Sequence, residues 1–198
     1  MQENNLDEKM IIGKNQKFQK EADQILEQSK LLEILKEYGQ VELTGSYPFG
    51  LMMNGDIDIQ IFVKKLSKQK AKDLLNELIE KTNFVGYMFF DWVSYRNHSW
   101  PFGYYVGIKH KMFGYKHQWK IDIWLIEEST KSNIEYTKLL KNNLMPENKL
   151  LILKFKEWKN QNYPTFSSMP IYDAVLKEKI NGLSDFVDFF NKNLEKYE

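Results

Sequence analysis

The chain has 198 residues, 42% of them hydrophobic and 15% aromatic, enough to fill a sizeable core in one domain or one domain with an appendage. It has no cysteine, which excludes a disulfide framework and a zinc-thiolate site, and its formal net charge of +1 argues against a protein held on long nucleic acid by charge alone. The polar N-terminus MQENNLDEKM carries no apolar stretch, and no run approaches the ~18 apolar residues of a membrane span, so the expected location is cytoplasmic with no membrane partner.

Phe18, Ala22, Ile25, Ser29, Leu32 and Leu35 recur at helical spacing, which predicts an amphipathic helix over 15–38, stopped by Gly39. Strands are expected over 40–44 and 57–64. Ser67 can cap a helix whose core face is Ala71, Leu74, Leu75, Leu78 and Ile79. Residues 84–95 are aromatic and β-like, and 104–112 with 115–126 read as a hairpin around Phe113-Gly114. From Ser129 the pattern becomes helical. Pro146 can open a helix to residue 160, a loop follows over 161–170, and short helices are expected over 171–180 and 184–197. The pattern predicts an α/β (α+β) fold: a mixed β-sheet with helices on one face, then a C-terminal helical subdomain.

The chemistry concentrates between Gly45 and Val63, GSYPFGLMMNGDIDIQIFV. A Gly-Ser pair follows a short apolar strand. Asp56 and Asp58 then stand one residue apart at the head of the next strand. Side chains alternate along a strand, so the two carboxylates share a face while Ile57, Ile59 and Ile61 point to the other and fill a core. Two carboxylates on one strand edge can bridge divalent cations, and a pair of ions about 3.5–4 Å apart forms a clamp for phosphoryl chemistry. Magnesium suits such a site because it takes a few carboxylates together with phosphate oxygens.

The order strand, Gly-Ser, loop, Asp-x-Asp resembles the nucleotidyltransferase superfamily typified by polymerase beta and the aminoglycoside nucleotidyltransferases. Gly45, Ser46 and Gly50 match its "GSxxxG" opening, and the family's third carboxylate is matched by Asp122 in QWKIDIWLIE. WKIDIW and PIYDAVL resemble small stand-alone bacterial members. Two departures stand out: Gly55 replaces the Ser that often precedes the Asp pair, and residues 47–54 lack the Arg of minimal members. The resemblance implies a catalytic core over 1–128 and a helical subdomain over 129–198. It implies transfer of a nucleoside monophosphate from a nucleoside triphosphate, expected to be ATP, to a hydroxyl. The acceptor is left open among a small molecule, a protein and RNA. The implied cofactor is a pair of Mg2+ ions, replaceable by Mn2+. Asp56 and Asp58 would hold both, and Asp122 would bind the ion beside the acceptor hydroxyl and take its proton. Gly45 and Ser46 would meet the terminal phosphates.

On the third-carboxylate strand, Gln118, Lys120 and Trp124 share the face of Asp122, while Ile121, Ile123 and Leu125 face the core. An unpaired carboxylate pointing inward is costly, so Asp122 makes sense turned towards a metal. Lys120 would touch a triphosphate or neutralise the carboxylates, and Gln60 and Phe62 extend the Asp58 face. Each reading has a plainer rival. Ser46 can be a helix cap, Lys120 a solvated lysine, and the basic hairpin of Lys109, His110, Lys111, Lys116, His117 and Lys120 a solvated loop. His98, His110 and His117 show no ligand spacing. Phe89, Phe90, Trp92 and Tyr95 read mostly as core, with one or two of them, or Tyr104 or Tyr105, free to stack on a base. The segment 144–158 and the loop 163–168 are expected to wall the site, Lys154 to touch triphosphate and Tyr163 or Tyr172 to stack. A metal-dependent glycosyltransferase also uses Asp-x-Asp but needs a longer βαβ half before it. A catalytically inactive binding or regulatory module on the same scaffold is the alternative to an enzyme.

Overall fold

The computed structural model describes residues 8–110, 117–129 and 134–197. The elements are α1 (Glu8–Gln28), α2 (Leu31–Tyr38), β1 (Gln40–Thr44), β2 (Asp56–Val63), α3 (Lys68–Lys81), β3 (Gly86–Asp91), β4 (Gly103–His110), β5 (Trp119–Glu127), α4 (Ile134–Asn143), α5 (Pro146–Asn162), α6 (Met169–Tyr172), α7 (Leu183–Lys192) and α8 (Leu194–Tyr197). A 3₁₀ turn, Tyr47–Phe49, separates β1 from β2, and a π-helical turn, Asp173–Lys177, continues α6. Two units emerge: a sheet unit of Gln19–Pro48 with Asn54–Ser132, and a helical unit of Met1–Phe18, Phe49–Met53 and Asn133–Glu198.

The sheet is mixed, in the order β1-β2-β5-β4-β3. β2 and β5 run parallel at its centre, and the other neighbours pair antiparallel. This is the α/β architecture expected from the pattern. Ile57, Ile59, Ile61, Ile121, Ile123, Val106 and Ile108 are fully buried, forming one continuous apolar face. Leu31, Ile34 and Leu35 of α2 and Ala71, Leu74 and Leu78 of α3 are buried with them, as amphipathic stripes require. Ser67 caps α3, its hydroxyl accepting from the Lys70 N–H at 3.2 Å. Ile79 lies outside the stripe and is exposed.

The single helix expected over 15–38 is two. The chain breaks at Ser29 and Lys30, where Lys30 takes φ 56° and the Ser29 hydroxyl accepts from the Leu31 N–H at 3.3 Å. The apolar spacing continues across the break, so periodicity alone reads straight through it. β4 and β5 pair antiparallel as a hairpin demands, but the expected turn at Phe113-Gly114, with Lys111 and Lys116, lies outside the described residues. The helix expected over 171–180 instead starts at Met169 and widens into the π-turn, closed by the Glu178 N–H to the Asp173 carbonyl at 3.0 Å. The buried Asp173 carboxylate fixes this turn by accepting from the Tyr136 and Tyr197 hydroxyls, at 3.1 and 2.6 Å, and pairing with Lys177 at 2.7 Å.

In the helical unit, Phe155 and Phe186 stack at 4.2 Å, and Trp158 and Phe190 pack edge-on beside them. Leu51 and Met53 enter the same core. Burying this loop exposes its carbonyls to an apolar medium, and side chains from two helices meet them. Asn15 donates to the carbonyls of Gly50 (3.0 Å) and Met52 (2.9 Å), and the buried Lys156 to that of Leu51 (2.8 Å). Among the described residues no helix is long and apolar enough to cross a membrane.

Candidate functional site

In the parallel pairing of β2 with β5, Asp58 lies directly across from Asp122 and Asp56 across from Lys120. Residues opposite one another on neighbouring strands share a face, so the register alone gathers the polar side chains of both strands while their isoleucines fill the core. Among the described residues, Asp56, Asp58 and Asp122 each offer a carboxylate oxygen, and these lie within 4.8 Å of one another. Asp122 is 9% exposed, and the other two are half-buried.

Gly45 sits at φ 65°, and a side chain there would run into the Asp58 carboxylate. Glycine thus serves twice: it takes the left-handed turn after β1 and leaves room for Asp58 to lie against it. Ser46 is buried and leads into the 3₁₀ turn rather than a full helix. That turn is tied to α1 by the Tyr47 hydroxyl, which donates to Asp23 at 2.8 Å, and by Gln19, which donates to the Tyr47 carbonyl at 3.1 Å. Burial and the Asp23 bond push the Tyr47 hydroxyl up to about 12.

Lys120 reaches into the carboxylates, 2.5 Å from Asp122 and 3.7 Å from Asp56. Partial burial works against its charge, but Asp56, Asp122 and Asp58 outweigh it and hold the ammonium above its ordinary value. The Tyr105 hydroxyl donates to the other Asp122 oxygen at 2.7 Å. Burial, then that bond, holds the phenol protonated far above its usual range. Tyr105 reaches Asp122 by leaning its ring over Gly107, the residue paired across from Asp122, where any side chain would block it. Sequence reasoning named Tyr105 only as a stacking aromatic and passed over Gly107. A glycine inside a β-patterned run was the available signal, since it marks close approach of another group.

Of the other expected residues, some belong to the helical unit and some to the sheet unit. Lys154, on α5 in the helical unit, is ion-paired with Glu8 at 2.6 Å. Tyr172 is buried in the helical core, its ring facing the Lys156 ammonium, which leaves little of it to stack on a base. Tyr163 packs on Trp158 and Phe190. Gln60 and Phe62 share the Asp58 face but are buried, so they do not extend an open surface. His117 pairs with Glu21 at 2.7 Å, and Trp119 donates to the same carboxylate at 3.3 Å. His98 is exposed.

Three carboxylates facing one ammonium leave an excess of negative charge in a hard-oxygen donor set. That chemistry fits magnesium or manganese and disfavours metals that need sulfur or imidazole.

No family model matches the chain, and no curated protein does. Among solved structures it is similar to a cytoplasmic RNA terminal U-transferase, with 23% identity and a TM-score of 0.54 over 81% of this chain and 47% of that one. It is also similar to Cid1, described as an RNA terminal uridylyl transferase, with 19% identity and a TM-score of 0.57 over 83% of this chain and 48% of that one. The chain spans about half the length of these structures. The likeness shows the fold, one shared with these two nucleotidyltransferase structures.

Proposed function

We propose, from a nucleotidyltransferase fold that gathers three carboxylates on one sheet face, that this protein transfers a nucleoside monophosphate from a nucleoside triphosphate to an acceptor hydroxyl. The observation that carries this reading is the convergence of Asp56, Asp58 and Asp122 within 4.8 Å. These residues would hold divalent magnesium, with manganese as a substitute, and a pair of such ions would supply charge neutralisation at the reacting phosphoryl group. Asp122 is the carboxylate best placed to accept the proton of the attacking hydroxyl. It is buried, it is oriented by Tyr105, and its second oxygen meets a lysine that can leave for a more strongly charged partner. The acceptor oxygen forms a bond to the α-phosphorus, the bond from that phosphorus to the β-phosphate oxygen breaks, and pyrophosphate leaves. Gly45 and Ser46 would offer N–H groups and a hydroxyl to the departing phosphates, and Lys120 would follow the developing charge. Lys154 is a second candidate for a phosphate contact, once released from Glu8.

ATP is the first donor to test. The names of the two similar structures, both terminal uridylyl transferases of RNA, make UTP the second and an RNA end the leading acceptor, ahead of a small molecule or a protein. Incubation with α-labelled ATP or UTP, magnesium and fractionated cell extract should label one fraction, and Asp58→Asn should remove the label. Equal labelling by wild type and Asp58→Asn would overturn the reading.

A second reading has its own observation. Lys120 already sits between two of the carboxylates, as a built-in counter-ion would in a non-catalytic binding or regulatory module. In that case no fraction is labelled, and Lys120→Ala loses stability that magnesium does not restore.

A further inference from the structure

The sheet face that carries the carboxylates also carries a row of aromatic rings, and both belong to the sheet unit. Next to the pairing Asp58–Asp122–Gly107 runs the pairing Gln60–Trp124–Tyr105–Phe90, across β2, β5, β4 and β3. Trp124 follows Asp122 by two residues, so it shares its face. Tyr105 belongs to both features: its hydroxyl holds Asp122, and its ring packs on Trp124 at 5.1 Å and Phe90 at 5.7 Å. The segment joining β3 to β4 adds Trp92 and Trp100. The rings then follow one another nearly parallel: Trp124 to Trp100 at 6.1 Å and 22°, Trp100 to Trp92 at 6.4 Å and 21°, Trp92 to Phe90 at 5.6 Å and 9°. A cluster that served only packing would be covered, yet Trp100 is 50% and Phe90 44% exposed. Large exposed aromatics grouped in one place mark a surface used for binding.

We propose that this row is the acceptor platform, stacking the unpaired bases of a single-stranded RNA end so that its terminal hydroxyl reaches Asp122. The proposal rests on the transferase reading for the use of that hydroxyl, and on the rings alone for binding. The exposed rings of Trp100 and Phe90, held in place by the rings stacked against them, offer surface to unpaired bases, the device by which single strands are held without sequence readout. The row lies on the β5-β4-β3 side of the carboxylates, whereas the Gly45-Ser46 turn lies on the β1-β2 side. Donor and acceptor thus approach the carboxylates from opposite flanks. Charge complementarity is slight but correctly placed. The one arginine of the chain, Arg96, stands exposed in the same segment, over the Phe102 ring and bonded to the carbonyls of Asn97 and Trp100. With a net charge of +1, stacking must supply most of the affinity, which favours unpaired bases over a duplex whose base faces are hidden.

The test is binding of a labelled single-stranded RNA hexamer to the full chain in EDTA, read by anisotropy and by quenching of tryptophan fluorescence. Three of the five tryptophans lie in the row, so strong quenching is expected. Trp100→Ala should weaken binding about tenfold, the loss of one stacking partner, while Trp100→Phe recovers most of it and His98→Ala, in the same segment, changes nothing. With one cation in the segment, the slope of log K against log salt should be about −1 or shallower. Unchanged binding by a Trp100→Ala protein with native circular dichroism overturns the proposal, as does duplex binding as tight as single-strand binding, or absence of quenching. A parallel titration with Mn2+ and triphosphate keeps the two readings apart. Wild type that binds triphosphate but no RNA refutes the platform alone. Asp58→Asn should lose the triphosphate and keep the RNA.

Discussion

Replacing Asp58 by asparagine separates its charge from its shape. The side chain keeps its size against Gly45, but one of three mutually repelling carboxylates disappears. Two unit charges 4.8 Å apart repel by about 3.5 kcal/mol at an effective dielectric constant of ~20 and by about 1 kcal/mol in water. Asp58 is half-buried, which places each of its two repulsions between these limits, and its attraction to Lys120 offsets part of the sum. A net gain of roughly 1 kcal/mol is expected in the metal-free protein, or a rise in Tm of about 2–4 °C for a chain of this size. Magnesium with triphosphate should reverse the order. A ligand at 100 times its Kd stabilises the wild type by about 2.7 kcal/mol, and the variant, with its site broken, gains little. Differential scanning fluorimetry in EDTA and in magnesium with ATP or UTP reads both halves. If Asp58→Asn melts below wild type in EDTA, Asp58 is a structural residue and the electrostatic argument fails. An equal metal-dependent gain in both proteins would refute its role as a ligand.

Three further outcomes follow from particular contacts. Asp91 ends β3 by accepting from the Val93 and Ser94 N–H groups and pairing with Lys68 at 2.8 Å; burial opposes its charge, but these partners hold it down at about 2. A depressed carboxylate stabilises above its ordinary range and loses that contribution as pH falls. Asp91→Asn should therefore cost about 1 kcal/mol at neutral pH, after screening at the half-exposed lysine, and the difference should vanish between about pH 4 and pH 2 in urea melts. Tyr105→Phe keeps the ring in its row but frees Asp122 from a donor at 2.7 Å; transfer should slow about tenfold, and an unchanged rate would show that Lys120 alone orients Asp122. Phe186→Ala removes a fully buried ring from the stack with Phe155 and should cost about 3–5 kcal/mol in chemical denaturation; a cost below about 1 kcal/mol would mean that the helical core closes over the gap.

The sequence by itself determined the sheet, because alternation is a local property. The isoleucines at 57, 59, 61, 121 and 123 name a buried face, and by elimination Asp56, Asp58 and Asp122 name the other. Ser67, Pro146 and the glycine-serine turn were equally legible, since caps and turns act over a few residues. What the tertiary structure alone decided depends on register and on groups distant in the chain. Only the parallel pairing of β2 with β5 brings Asp122, 64 positions after Asp58, directly across from it. Only the β4–β5 register sets Gly107 across from Asp122 and so carries the Tyr105 hydroxyl to that carboxylate. Trp92 reads mostly as core in a linear reading, with stacking on a base left open, and nothing in the linear pattern singles out Trp100. The 50% exposure of Trp100 follows from the segment between β3 and β4 lying on the face that carries Asp122 and Trp124, where its ring packs on Trp124. The break at Ser29 and Lys30 was hidden for the opposite reason: the apolar stripe continues across it, and a left-handed backbone at a lysine leaves no mark on hydrophobic spacing.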